Sequence, residues 1–183
     1  MKRIVVLFSG QGTNLAFILE HLHCKRVIVA AAITDNPQAS GIAVAQNYGI
    51  PTEIIDKRAF DTREAFDAAL VSRIQTYRPD LVVLAGFMRI LTAVFTRQVR
   101  AINLHPSLLP RHKGLRAIER SFHDPYDEGG VSVHWVSEAL DGGEVIIQKS
   151  IPKAGHTLAS YTQAIRRLEK EALREAILKV LDA

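Results

Sequence analysis

Cysteine is nearly absent from this 183-residue chain. Cys24 stands alone, so no internal disulfide can form, which suits a reducing compartment. It sits in the basic stretch His21 to Arg26, with no glycine-rich elbow to make it a nucleophile. His21 and His23 beside it read as a solvated helix end. Long apolar runs are also missing: nothing approaches the roughly 18 residues of a membrane span. The N-terminal run Ile4–Phe8 breaks at Ser9-Gly10, too short for a signal core. A cytoplasmic protein with no membrane partner is the expectation. Seven histidines never fall into His-x-x-x-His or His-Glu-x-x-His, so no metal is expected. Ser107 lacks the Gly-x-Ser-x-Gly setting of a serine nucleophile. Charge is +4 but scattered. The densest groups are Arg111-His112-Lys113 with Arg116, and Arg166-Arg167 with Lys170. No aromatic residues interleave them, so phosphate or carboxylate ligands fit better than a nucleic acid.

What is present is an alternation of short apolar runs and amphipathic segments. Strands are predicted over Ile4–Phe8, Val27–Thr34, Thr52–Ile55 and Leu81–Ala85. Helices are predicted over Asn14–His21, Ile42–Tyr48 and Thr62–Tyr77, the last with Ala65, Phe66, Ala69, Leu70, Ile74 and Tyr77 at helical spacing. This order predicts an α/β fold, a doubly wound and mostly parallel sheet with a Rossmann-like N-terminal half. Ala101–Leu104 reads as a further strand. Val131–Val136 and Glu144–Ile151 read as two more, joined by Ser137–Gly143. Leu158–Leu181 is a long helix, striped by Leu158, Tyr161, Ile165, Leu168, Ala172, Ile177 and Leu181. With 48% hydrophobic residues, one globular domain over 1–183 is expected.

Phe8-Ser9-Gly10-Gln11-Gly12-Thr13-Asn14-Leu15 joins the first strand to the first helix. Glycines permit positive φ and close approach, and a helix N-terminus offers free amides to an anion. Gly10-x-Gly12, with Asp35 ending the second strand, also fits part of a dinucleotide fingerprint. Leu15 stands at the third glycine position, and Thr13 and Asn14 add side-chain donors, which favours a phosphomonoester. A plain tight turn, with Thr13 or Asn14 as the helix cap, is compatible with that reading.

Asn103-Leu104-His105-Pro106-Ser107-Leu108-Leu109-Pro110 carries the chemistry. Residues i and i+2 on a strand share a face, so Asn103 and His105 project side by side from a strand end. An amide donor beside an imidazole can stabilise an oxyanion and move a proton. Asp141-Gly142-Gly143 lets the chain turn sharply and exposes a carboxylate, which near His105 would favour the imidazolium. Each residue also has an ordinary structural reading, the Asp-Gly-Gly as a hairpin turn above all. Gly86-Phe87-Met88-Arg89-Ile90-Leu91 follows the central strand, where ligands bind in such sheets. Its apolar loop with free amides suits a flat heterocycle; the alternative is packing of Met88 and Ile90 into the core.

These runs, with Leu140-Asp141-Gly142-Gly143, occur in an order that resembles the phosphoribosylglycinamide formyltransferases of purine synthesis across almost the whole chain. The resemblance implies transfer of a formyl group from 10-formyltetrahydrofolate to the amine of glycinamide ribonucleotide. It implies a catalytic set of Asn103, His105 and Asp141. Gly12, Thr13 and Asn14 would hold the substrate phosphate, Glu169 the ribose, and Arg166 would lie near the phosphate. Arg63 and the backbone of Met88, Arg89, Ile90 and Leu91 would bind the folate, with Asn103 and the loop Ser137 to Asp141. Residues 1–100 would form a phosphate-binding half and 101–183 a catalytic and folate-binding half. Gln11 and Thr13 stand where relatives often carry Asn and Ser, and keep polar character. The alternatives are a formyltransferase for another amine, such as an amino sugar nucleotide, or a non-catalytic folate- or nucleotide-binding regulator. The resemblance leaves the oligomeric state open.

Overall fold

The computed structural model describes residues 1–183. Its strands are β1 (Lys2–Phe8), β2 (Val27–Thr34), β3 (Thr52–Ile54), β4 (Leu81–Leu84), β5 (Ala101–His105), β6 (Glu128–Trp135) and β7 (Val145–Pro152). The helices are α1 (Thr13–His21), α2 (Gly41–Asn47), α3 (Arg63–Thr76), α4 (Ala93–Thr96), α5 (Ala117–His123) and α6 (Leu158–Leu181). All seven strands form one sheet in the order β3-β2-β1-β4-β5-β6-β7. The β1–β2, β1–β4 and β2–β3 pairs are parallel, and β6–β7 is antiparallel. The α/β expectation of a mostly parallel, doubly wound sheet therefore holds. Contacts divide the chain into two compact units, Met1–Ile102 with Val180–Ala183, and Asn103–Lys179.

In the first unit, β1 and β4 are apolar throughout their central residues, and Ile4 to Phe8 and Leu81 to Leu84 are buried. Strands covered on both faces read as continuous apolar runs for this reason. On α3, Phe66, Leu70 and Ile74 face inward as predicted. Ala65 is exposed instead, and Asp67 and Val71 complete the buried face. Thr62 is not the first helical residue but the cap, its hydroxyl accepting from the Ala65 amide at 3.0 Å. Asp67 is buried because it has work to do: Oδ2 accepts from the Thr92 amide at 2.7 Å and the Thr92 hydroxyl at 2.8 Å. That carboxylate fixes the end of the loop that leaves β4. His23 is not a solvated helix end. Its Nδ1 accepts from the Val29 amide at 3.0 Å, and burial pushes its imidazole below the ordinary value.

In the second unit, β6 begins three residues earlier than expected, at Glu128. Gly129 and Gly130 look like turn formers, yet they lie in the strand because nothing larger fits. A Cβ on Gly129 would stand 1.8 Å from the Tyr161 hydroxyl, and one on Gly130 would stand 2.0 Å from the Lys149 carbonyl oxygen. Helix α6 opens with a reciprocal cap: the Ser160 amide donates to Thr157 Oγ1 at 3.1 Å, and the Thr157 amide to Ser160 Oγ at 3.0 Å. Tyr161, Ile165, Ala172 and Ile177 lie buried on the predicted stripe, while Leu158 and Leu168 are only half-buried.

Truncating Asp67 to alanine leaves two donors of Thr92 without an acceptor. We expect a loss of about 1–3 kcal/mol in unfolding free energy, measured by urea denaturation. An unchanged midpoint would show that the carboxylate does not hold the loop.

Candidate active site

The first unit places two loops at the carboxyl ends of adjacent parallel strands. Residues 9–12 follow β1 and residues 85–92 follow β4. Because β1 lies between β2 and β4, chain connections run outward in opposite directions from this point. Such a switch point opens a crevice where ligands bind. Ser9 joins the loops: its amide donates to Gly86 O at 3.0 Å, and its hydroxyl accepts from the Met88 amide at 2.9 Å. The same hydroxyl donates to Asp35 Oδ1 at 2.6 Å. Asp35 is fully buried, with Lys57 Nζ 3.7 Å from Oδ2. It is a structural anchor for Ser9, not the exposed ribose acceptor of a dinucleotide fold.

Neither Thr13 nor Asn14 caps α1. The cap is Gly12, in the left-handed region at φ 72°, and no side chain bonds the first turn. A Cβ on Gly12 would lie 2.9 Å from Gly41 Cα, so the position needs glycine on both counts. The first-turn amides thus have no side-chain acceptor, and Asn14 Oδ1 is buried without a partner. This is the arrangement an anion can complete. In the second loop, Phe87 and Leu91 are buried whereas Met88 is 62% and Ile90 48% exposed. Met88 and Ile90 therefore do not pack into the core. The Arg89 guanidinium lies 4.1 Å from the centre of the Phe66 ring, on α3. Arg63, the first residue of that helix, is exposed.

The second unit brings Asn103, His105 and Asp141 together, with a fourth residue. Asp141 Oδ2 lies 3.4 Å from His105 Nδ1, and Oδ1 lies 3.6 Å from His134 Nε2. His134 Nε2 is 3.2 Å from Asn103 Nδ2. The ring is closed below by backbone: His105 Nε2 donates to His112 O at 2.8 Å, and the Gly114 amide donates to Asp141 Oδ2 at 2.9 Å. Each nitrogen of His105 thus faces an oxygen, an arrangement that a hydrogen on each nitrogen satisfies. His134 was not among the sequence candidates. It belongs to no motif, and only its inward position on β6, with Val131 and Val133 buried beside it, could have suggested it.

The Asp141 carboxylate is not exposed, as the Asp-Gly-Gly turn suggested. Its side chain is 7% accessible and points inward. The left-handed residue is Asp141 itself, at φ 50°, and not either glycine. The glycines serve closeness: a Cβ on Gly142 would lie 2.7 Å from Ala139 Cβ, and one on Gly143 would lie 1.7 Å from Trp135 O. Burial pushes the Asp141 carboxyl up, but His134, the Gly114 amide and His105 outweigh it and hold the group below its ordinary value. Ser137 bonds only locally, its hydroxyl to Ala139 O at 3.3 Å. On α6, Glu169 is 4% exposed and accepts from Arg166 Nη1 at 2.9 Å.

An amide donor, two imidazoles and an inward carboxylate, with no nucleophile among them, equip the cluster for acyl transfer between bound partners. Residues 2–177 match the formyl transferase family. The chain belongs to that family. It is 42% identical over 153 residues to the phosphoribosylglycinamide formyltransferase of Escherichia coli, covering 81% of this chain and 72% of that protein. The crystal structure of the phosphoribosylglycinamide formyltransferase from Campylobacter jejuni superposes with a TM-score of 0.96 at 44% identity, covering 98% of this chain and 97% of that one. Glycinamide ribonucleotide transformylase 1 from Symbiobacterium toebii follows at 0.91 and 38%, covering 97% and 86%.

The lowered Asp141 carboxyl has a signed consequence. Its contribution to stability is fully present above the ordinary value of 3.8 and is lost as pH falls through the depressed folded value. Asp141→Asn should flatten the acid limb of stability below about pH 4. Thermal unfolding across that range checks it; parallel limbs in the two proteins would refute it.

Proposed function

We propose that this chain transfers the formyl group of 10-formyltetrahydrofolate to the primary amine of 5'-phosphoribosylglycinamide, a step of purine synthesis, in the cytoplasm. The observation that carries this reading is the inward Asp141 carboxylate beside His105, joined through His134 to the amide of Asn103. The family and the relatives' names support the formyl group and the acceptor.

Each unit has its own part. In the first, Gly12, Thr13 and Asn14 hold the substrate phosphate on the start of α1, which no side chain caps. Met88, Arg89, Ile90 and Leu91 offer the folate heterocycle backbone groups and two exposed apolar side chains, with Arg63 on the approach. In the second, the Ser137 to Asp141 loop meets the folate, Glu169 takes the ribose, and Arg166 lies toward the phosphate. We read residues 1–183 as one formyltransferase domain, with 1–100 as its phosphate-binding half and 101–183 as its catalytic and folate-binding half.

The donor supplies a carbonyl carbon bonded to nitrogen, which the amine attacks. Negative charge gathers on the formyl oxygen, and Asn103 Nδ2 and His105 donate to it. Of the two His105 contacts, Nδ1 to Asp141 at 3.4 Å is longer than Nε2 to His112 O at 2.8 Å, so Nδ1 is the nitrogen free to turn to substrate. Ionised Asp141 takes the proton that the amine sheds and passes it to the departing nitrogen, so proton and charge balance. Holding both substrates in place removes much of the entropic barrier.

Incubation with both substrates and mass detection of formylated glycinamide ribonucleotide tests the reading. Preferential formylation of an amino sugar nucleotide, or binding without product, would overturn it. In single-turnover assays His105→Ala and Asp141→Asn should each lose on the order of 10²–10³ in rate; near-wild-type rates in both would sink the mechanism.

A further inference from the structure

Away from the reacting cluster lies a second set of charged groups. His112 Nε2 donates to Asp124 Oδ2 at 2.6 Å. Lys153 Nζ reaches Asp124 Oδ1 at 2.5 Å, Ser121 O at 2.8 Å and Asp124 O at 3.1 Å. Three ammonium protons meet three acceptors. The side chains of Lys153, Asp124 and His112 are only 10%, 8% and 19% exposed. This is not a solvated surface pair. Burial pushes the Asp124 carboxyl up, but the bonds from Lys153 and His112 outweigh it.

What the set holds is the backbone of residues 112–114. His112 sits at φ 53°, Gly114 at φ 82° and Arg116 at φ 59°. Two of these are not glycine, and a side chain in the left-handed region needs outside support. The turn at His112 aims its carbonyl at His105 Nε2, 2.8 Å away. Two residues on, the Gly114 amide meets Asp141 Oδ2 at 2.9 Å. One short segment therefore grips both the imidazole and the carboxylate. Arg120 steadies its far side, donating to Lys113 O at 2.5 Å and Leu115 O at 3.0 Å.

We propose that His112, Asp124 and Lys153 form a half-buried clamp that positions His105 and Asp141 through the backbone of residues 112–114. All three are positioning residues: none touches the reacting atoms. The inference rests on His105 and Asp141 being the reacting pair. Loss of the clamp lets the left-handed turn relax, moves the His112 carbonyl and releases His105 Nε2.

The test uses the full chain, labelled with ¹⁵N-histidine. In Lys153→Met the His105 Nε2–H signal should shift, kcat should fall roughly 10- to 100-fold, and KM for either substrate should stay within about threefold. Lys153→Arg, which keeps the charge, should recover most of the rate and the signal. Asp124→Asn, which keeps the side-chain shape, carries the same readouts should Lys153→Met fail to fold. Wild-type kcat with an unmoved His105 signal would overturn the clamp. So would a rate loss that only tracks the folded fraction while the signal stays put. The signal is read without substrate, so a wrong acceptor would fail the assay and leave the clamp standing.

Discussion

Everything distinctive in the second unit follows from turning one carboxylate inward. An ionised Asp141 at 7% exposure must find partners or lose its charge. It finds the Gly114 amide and two imidazoles. Meeting them requires the Asp141 backbone to turn left-handed and Gly143 to pass so close to Trp135 that no side chain fits. The Asp-Gly-Gly sequence is thus a packing requirement as much as a turn. The two histidines and Asn103 then follow as the groups that can stand beside that charge without burying an unpaired donor.

The first unit solves a different problem, how to present donors without spending them internally. Its device is Ser9, whose one hydroxyl donates to Asp35 and accepts from Met88. That ties down the start of each loop and leaves the rest outward. Thr92 plays the matching part at the far end of the β4 loop, held by Asp67. Anchored at both ends, the loop keeps Met88 and Ile90 exposed while Phe87 and Leu91 pack. A loop surface anchored at both ends would be ordered before any ligand arrives, which would lower the ordering cost of binding.

Legibility in the sequence tracked how local the cause was. β2 and α6 have the bounds that their apolar patterns predict. Four-residue α4 and seven-residue α5 escaped notice: α4 is too short for a stripe, and α5 starts after left-handed Arg116 with no side-chain cap. The start of β6 at Glu128, ahead of the expected Val131, was not legible because the cause of Gly129 and Gly130, Tyr161 and the Lys149 carbonyl, is distant in sequence. The same holds for function. Asn103, His105 and Asp141 stand in recognisable runs, whereas His134 and the His112–Asp124–Lys153 set depend on distant partners. The expected exposure of Asp141 failed for that reason: turn chemistry is written locally, but the direction of a side chain is decided by what awaits it.

Hydrogen-bond direction links the pieces more tightly than distance does. His134 Nδ1 donates to Trp135 O at 2.9 Å, which leaves Nε2 between Asn103 and Asp141. In a neutral ring Nε2 is a lone pair, and Asn103 must offer it an amide hydrogen, which leaves the second hydrogen of that amide for another acceptor. A ring carrying a proton at Nε2 would turn it to the Asp141 carboxylate and call for the carbonyl end of Asn103 instead. The orientation of the Asn103 amide and the proton on His134 are therefore one variable. The donor role proposed for Asn103 is thus tied to His134, the residue that sequence patterns overlooked.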